Sequence, residues 1–256
     1  MISLRFDNLS FAYHKDIVVL KDISSSFDSH KIYTLLGLNG SGKTTLIKCL
    51  AGLLKPTQGY VFLNGQDIET VSYMDRSKYI SYVRQGVSTG DDHYVKDYLS
   101  FGLMNRLTWY QSPNAEHMEE VVKQASRFHI GDLLDKKMDE LSGGQKQIVM
   151  ICRAVIQNTD IIILDEPTSA LDVKNQGLVL SLLKELTEQE QKTVIFSTHN
   201  PNHALFLNSQ VILIDNGYIV QQGSAKEIIN VEVLNRIYGD QIKYSDELGY
   251  REISIY

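Results

Sequence analysis

The hydrophobic positions of this chain change rhythm twice. Up to about residue 85 they alternate or run in short apolar blocks: "LSFAY", "IVVLKDISSSF", "KIYTLLG", "GYVFLNG" and "YISYVRQ", with turn residues between them. Period-two patterns and short apolar runs bounded by turns predict β-strands. One stretch breaks the series. "KTTLIKCLAGLL" has helical spacing, closes near Gly52 and stops before Pro56, as helices do at glycine and proline. From residue 87 to 157 the spacing is helical. "VKDYLSFGLM", "AEHMEEVVKQASRFH" and "GGQKQIVMICRAVIQ" predict three helices, the second with Val121, Val122, Ala125 and Phe128 on one apolar face. After residue 158 strand and helix alternate through "DIIILDE", "NQGLVLSLLKELTEQ" and "KTVIFSTH", the rhythm of parallel strands joined by crossover helices. A hairpin, "QVILIDNGYIVQQG", follows and turns at Asn216-Gly217. The expected fold is an α/β core with a helical insert.

Composition narrows the partners. The chain is long enough for a well-buried core. Its formal net charge of −6 argues against a nucleic-acid partner, which usually meets a basic face. No apolar run approaches the roughly 18 residues that a membrane span needs; "IIIL" (161–164) and "VILI" (211–214) are strand-sized. Arg5 and Asp7 fall where a signal peptide needs an apolar stretch, so the chain is expected to stay in the cytosol. Cys49 and Cys152 fit no metal or disulfide spacing and lie in apolar helical patterns. They are expected to be small buried side chains.

Two glycine-rich stretches carry the candidate chemistry. In "GLNGSGKTT", Gly37, Gly42, Lys43 and Thr44 fit G-x-x-x-x-G-K-[ST], after the apolar strand "IYTLL" and before a helix. Glycines permit left-handed turns, so successive N–H groups can point inward around an anion. The helix N-terminus adds partial positive charge. Lys43 can reach the β- and γ-phosphates of a nucleotide, and the Thr44 hydroxyl can bind Mg²⁺. Asp165 ends the buried strand "IIIL", at the edge where open α/β sheets gather ligands, able to hold Mg²⁺ directly or through water. Glu166 comes next and can orient and help deprotonate an attacking water. The second stretch, "LSGGQ" (141–145), opens a helix. Ser142 is a natural N-cap there, and Gly143 and Gly144 leave backbone N–H groups exposed. One P-loop cradles one triphosphate, so this second anion site faces another ligand or the ATP of another copy. His199 and His203 have the i, i+4 spacing of a zinc pair. However, Asn200 stands where H-E-x-x-H needs glutamate, and Pro201 prevents a continuous helix through both.

Taken together and in this order, the motifs resemble the nucleotide-binding subunit of ABC transporters, and the resemblance covers essentially the whole chain. It implies a P-loop NTPase core of ABC type with an N-terminal antiparallel β-subdomain and an inserted α-helical subdomain. Residues 1–86 and 158–256 would form the catalytic core, and 87–157 the helical subdomain with the signature motif. ATP would be held by Tyr13, stacked on adenine, and by Gly37, Asn39, Gly40, Ser41, Gly42, Lys43, Thr44 and Thr45. Mg²⁺ would sit at Thr44, Gln85 and Asp165. Catalysis would fall to Glu166, His199, Lys43 and Gln85, with Gln85 joining core to insert and His199 acting as the switch histidine at a strand end. "SALD" (169–172) matches the loop that runs across a dimer interface.

In such proteins two copies sandwich two ATPs, so Ser142, Gly143, Gly144 and Gln145 of one copy would complete the site of the other. The implied partners are a second copy, integral membrane permease subunits and, indirectly, an extracytoplasmic substrate-binding protein, with the chain peripheral on the inner face of the membrane. Asp91 and Asp92 lie just after Gln85, where the family docks its membrane partner; such loop charges are expected to be solvated. "DYLSFGLMNRLTWY", "THNPNHAL" and the short tail after "IVQQG" resemble ATPases of importers for iron chelates, haem and cobalamin. An exporter ATPase and a soluble ATPase of iron–sulfur cluster assembly are the alternatives. A non-catalytic interaction module is disfavoured because Lys43, Asp165, Glu166 and His199 are all present.

Overall fold

A computed structural model describes residues 3–14, 17–86, 92–108, 111–239, 242–245 and 252–255. Two strands open the chain, β1 (Leu4–His14) and β2 (Ile17–Phe27), and β3 (Ile32–Leu36) leads into α1 (Lys43–Leu50). β4 (Gln58–Leu63), β5 (Gln66–Asp67), a one-turn α2 (Tyr73–Arg76) and β6 (Ile80–Val83) follow. Three helices come next: α3 (Val95–Ser100), α4 (Ala115–Arg127) and α5 (Gly143–Ile156). The alternation then runs β7 (Ile161–Leu164), α6 (Val173–Glu188), β8 (Thr193–Thr198), α7 (Pro201–Leu207). β9 (Gln210–Asp215) and β10 (Tyr218–Ser224) make the hairpin. α8 (Ala225–Ile228), α9 (Val231–Tyr238), β11 (Ile242–Ser245) and β12 (Glu252–Ile255) end the described chain.

The strands form two principal sheets. One is antiparallel, in the order β2-β1-β4-β5; the other has six strands in the order β10-β9-β3-β8-β7-β6. In the second, β9, β3, β8, β7 and β6 are parallel neighbours and β10 closes the edge antiparallel to β9. Both faces of this sheet are covered. Ile161 and Ile163 of β7 share a core with Leu46 and Ile47 of α1 and with Phe6 and Val61 of the antiparallel sheet. Ile162 and Leu164 share another with Val149 of α5 and Leu183 of α6. Burial on both faces is why "IIIL" runs apolar without alternating.

Local chemistry explains the boundaries. Asn8 takes a left-handed φ of 49°, and the pairing of β1 with β2 shifts register between Phe6 and Leu9. This bulge lets Leu4, Phe6, Leu9 and Phe11 all face inward, and the strand extends further toward the N-terminus than "LSFAY". In α4, Val121, Ala125 and Phe128 are buried, but Val122 is 48% exposed. Consecutive residues of a helix point about 100° apart, which carries Val122 off the apolar face expected for it. The hairpin turns at Asn216 and Gly217, both at positive φ, the type I′ geometry that matches strand twist. Cys49 and Cys152 are free and buried. Asp92 is exposed to solvent, as expected, and also pairs with Lys137 at 2.6 Å; Asp91, Trp109 and Tyr110 lie outside the described residues. Among the described residues no helix is long and apolar enough to cross a membrane.

Candidate active site

Four loops meet at one edge of the six-stranded sheet. β3, β8, β7 and β6 are parallel neighbours, so their C-terminal ends point the same way, the edge at which open α/β sheets bind ligands. The glycine loop follows β3, Gln85 follows β6, Asp165 and Glu166 follow β7, and His199 follows β8.

The loop after β3 requires glycine at both ends. A side chain on Gly37 would stand 2.2 Å from the Ile214 carbonyl oxygen, and Gly42 has φ +110° with Leu20 Cδ2 only 2.8 Å from the Cβ position. Gly42 is the N-cap of α1, and no side chain caps that helix, which leaves its first amides for a ligand. Lys43 is buried. Its Nζ donates to the carbonyls of Gly37 and Leu38, each at 2.8 Å, and lies 3.8 Å from Glu166 Oε1. Burial lowers the pKa of this ammonium, while Glu166 and Asp165 raise it in part.

The two acids are held differently. Asp165 is fully buried; its Oδ1 accepts from Thr44 Oγ1 at 3.0 Å and from Ser197 Oγ at 2.7 Å, while Oδ2 has no hydrogen-bond partner. An unpartnered carboxylate oxygen beside a threonine hydroxyl is the hard oxygen set that suits Mg²⁺, so the residues present fit that ion. Glu166 has φ +45°, a left-handed conformation costing an L-residue roughly 1–2 kcal/mol. Such strain persists where surroundings enforce it. Here the Glu166 N–H donates to Ser197 Oγ at 2.8 Å, and Oε2 accepts from Gln85 Nε2 at 3.1 Å and lies 3.8 Å from His199 Nδ1.

Tyr13 stands half-exposed near the end of β1, edge-on to Phe11, with its hydroxyl 3.3 Å from Thr45 Oγ1. Together with Asn39, Gly40, Gly42, Lys43, Thr44, Thr45, Gln85 and Glu166 it lines a cleft of about 430 Å³. Ser41 is buried under the loop with an unpartnered Oγ. Ser142, Gly143, Gly144 and Gln145 are not part of this cleft. They open α5, where Ser142 Oγ accepts from the Gln145 N–H at 3.3 Å and Gln145 Oε1 accepts from the Ser142 N–H at 3.0 Å. A Cβ on Gly144 would meet the Ala170 carbonyl at 3.3 Å, so this helix start adjoins "SALD".

A family model described as ABC transporter matches residues 20–169, a span that holds both glycine stretches and the Asp165–Glu166 pair. The chain belongs to this family. A Haemophilus influenzae protein described as an uncharacterized ABC transporter ATP-binding protein is 35% identical over 92% of this chain and 89% of that protein. A Helicobacter pylori protein described as a probable iron chelatin transport ATP-binding protein is 33% identical over 92% of each chain. Among solved structures, a chain of an ABC transporter described as of metal-chelate type, in an inward-facing conformation, superposes with a TM-score of 0.84. It is 26% identical and the match covers 100% of this chain and 97% of that one. The fold is that of the P-loop ABC cassettes.

Motif reading passes over Ser197 in this ABC cassette and gives His203 no role beyond a rejected zinc pair. Ser197 touches both acids, and its only mark in the sequence is a polar residue inside the apolar run "TVIFST". Both ring nitrogens of His203 have neighbours within the chain: Nδ1 lies 3.0 Å from Thr198 Oγ1 and Nε2 lies 3.3 Å from Asn200 Nδ2. Thr198 Oγ1 in turn accepts from the Asn200 N–H at 3.0 Å. His203 thereby braces the turn that carries His199.

Proposed function

We propose that this ABC protein hydrolyses ATP to power a separate membrane permease, and that the cargo is an iron chelate. The observation that carries the first part is the convergence on Glu166. One buried carboxylate faces Gln85, Lys43 and His199 and lines the same cleft as the glycine loop. On this reading Lys43 leaves the carbonyls of Gly37 and Leu38 for the β- and γ-phosphates, and the amides from Gly37 to Thr45 cradle them. Thr44, Asp165 and Gln85 would hold Mg²⁺, which when bound would offset the negative charge developing on the transferred phosphoryl group. Glu166 aims the attacking water and takes its proton. His199 steadies the γ-phosphate. Tyr13 stacks on the base, worth about 1–3 kcal/mol by analogy with other base–aromatic contacts.

The cleft's own chain supplies none of Ser142, Gly143, Gly144 and Gln145 to its lining. A second copy supplies them, so that two ATPs lie between two chains. Moving such a pair from 1:99 closed to 99:1 needs about 5.5 kcal/mol, roughly half from each ATP, within reach of a few charge-assisted hydrogen bonds. We assign residues 1–86 and 158–256 to the catalytic core and 87–157 to a helical unit that passes the motion to the permease. Support for the cargo comes from the iron chelatin description of the Helicobacter relative and the metal-chelate type of the structural neighbour. An importer of this kind also uses an extracytoplasmic binding protein, and the chain would work at the inner face of the membrane.

Glu166→Gln tests the chemistry. Turnover of Mg-ATP should fall by about 10²–10⁴ while ATP binding persists and ATP drives pairing of the chains. Near-normal turnover would remove Glu166 from its role. Reconstitution with a membrane permease that co-purifies with it tests the cargo: vesicles should take up a ferric chelate only with this subunit and ATP, and uptake without it would overturn the assignment.

A further inference from the structure

We infer that Ser197 is a positioning residue for hydrolysis, its single hydroxyl setting Asp165 and Glu166 relative to each other. The inference rests on the ATPase reading above. Ser197 is fully buried near the C-terminal end of β8, beside β7, which ends at the two acids. Residues two apart on a strand share a face, so Ser197 follows Ile195, a core residue, at the one place where that face reaches the site. Its Oγ donates to Asp165 Oδ1 at 2.7 Å and accepts the Glu166 N–H at 2.8 Å. A hydroxyl offers one donor and two acceptor positions, so both bonds form without conflict.

The two bonds do separate work. The donated one is charge-assisted and, with Thr44, occupies Oδ1. It fixes the carboxylate plane so that the unpartnered Oδ2 stays available to a cation. The accepted one holds the peptide entering Glu166 at φ +45°. Relaxation from that left-handed conformation would swing the Glu166 carboxylate away from Gln85, Lys43 and His199. Metal ligand and general base therefore depend on one atom contributed by a neighbouring strand.

The test compares Ser197→Ala, Ser197→Cys and Ser197→Thr in the full chain, each checked for folding by thermal melting. Cysteine keeps the unbranched side-chain shape but donates weakly, and threonine keeps the hydroxyl. The Mg²⁺ concentration for half-maximal binding of a fluorescent ATP analogue is measured without turnover, beside kcat and KM. Alanine and cysteine should raise the Mg²⁺ requirement and lower kcat, each on the order of 10- to 100-fold, the range for losing a hydrogen bond to a charged group. KM for ATP and analogue binding in EDTA should hold, and threonine should restore both readouts. Folded alanine and cysteine variants with wild-type Mg²⁺ dependence and kcat would overturn the inference. So would a lower melting temperature as their sole defect. If alanine does not fold, cysteine decides. A wild-type chain that fails to hydrolyse Mg-ATP would overturn the ATPase reading and the inference with it, whereas active wild type with normal variants overturns the inference alone.

Discussion

Protonation of His203 works against the fold. The residue is 7% exposed, and burial, aided by nearby His199, holds its pKa down to about 4. In an unfolded chain histidine titrates near 6.5. Between those values the unfolded state binds a proton that the folded state refuses. Stability is therefore complete above about pH 6.5 and is lost as pH falls toward about 4, by at most about 1.4 kcal/mol per pH unit. Urea melts near pH 7 and near pH 5 check this. Wild type should weaken more than His203→Gln, and equal weakening would clear His203 as the cause. Lys43, Asp165 and Glu166 are legible in the sequence because local order carries their chemistry: a loop after a strand, two acids at a strand end. Ser197 and His203 are not, because their partners lie on a neighbouring strand or across a turn. A buried serine or histidine in an apolar pattern looks like any satisfied core polar group.

At the scale of elements, the junction of β3 with α1 is the sharpest constraint. Alanine at Gly42 would combine φ +110° with a Cβ 2.8 Å from Leu20 Cδ2 and 3.2 Å from the Val19 carbonyl. Gly42→Ala should cost about 1–3 kcal/mol of stability and abolish ATP binding, because the first amides of α1 turn away. Calorimetric melting and nucleotide titration read both, and normal binding would show that the loop tolerates another path. The buried strands, the three-part helical insert and the Asn-Gly hairpin follow from periodicity and turn chemistry. The short helices α7 and α8 do not, since seven and four residues carry too few turns for a period. α7 does announce its start with Asn200 as N-cap and Pro201 in its first turn, a helix-opening pair.

For the whole molecule, the separation of the two glycine-rich stretches is decisive. Ser142 caps α5 and lines no part of the P-loop cleft, so Ser142→Arg should leave ATP binding by the single chain intact. Losing the cap should cost about 1 kcal/mol. Hydrolysis should stop, because the arginine would enter the partner's site; an assay showing normal turnover would sink the two-chain arrangement. The sequence can show that a second glycine-rich helix start exists, but only the fold shows that it lines no part of its own chain's cleft.

The chain has two cysteines, and both are sealed inside. Burial raises both thiols, Cys49 to about 12, and maleimides need a thiolate to react. The native protein is thus silent to thiol labelling at neutral pH. A cysteine placed at Val173, 86% exposed at the start of α6, would be its sole reactive handle, and a dye attached there could report self-quenching between chains with both native thiols left in place.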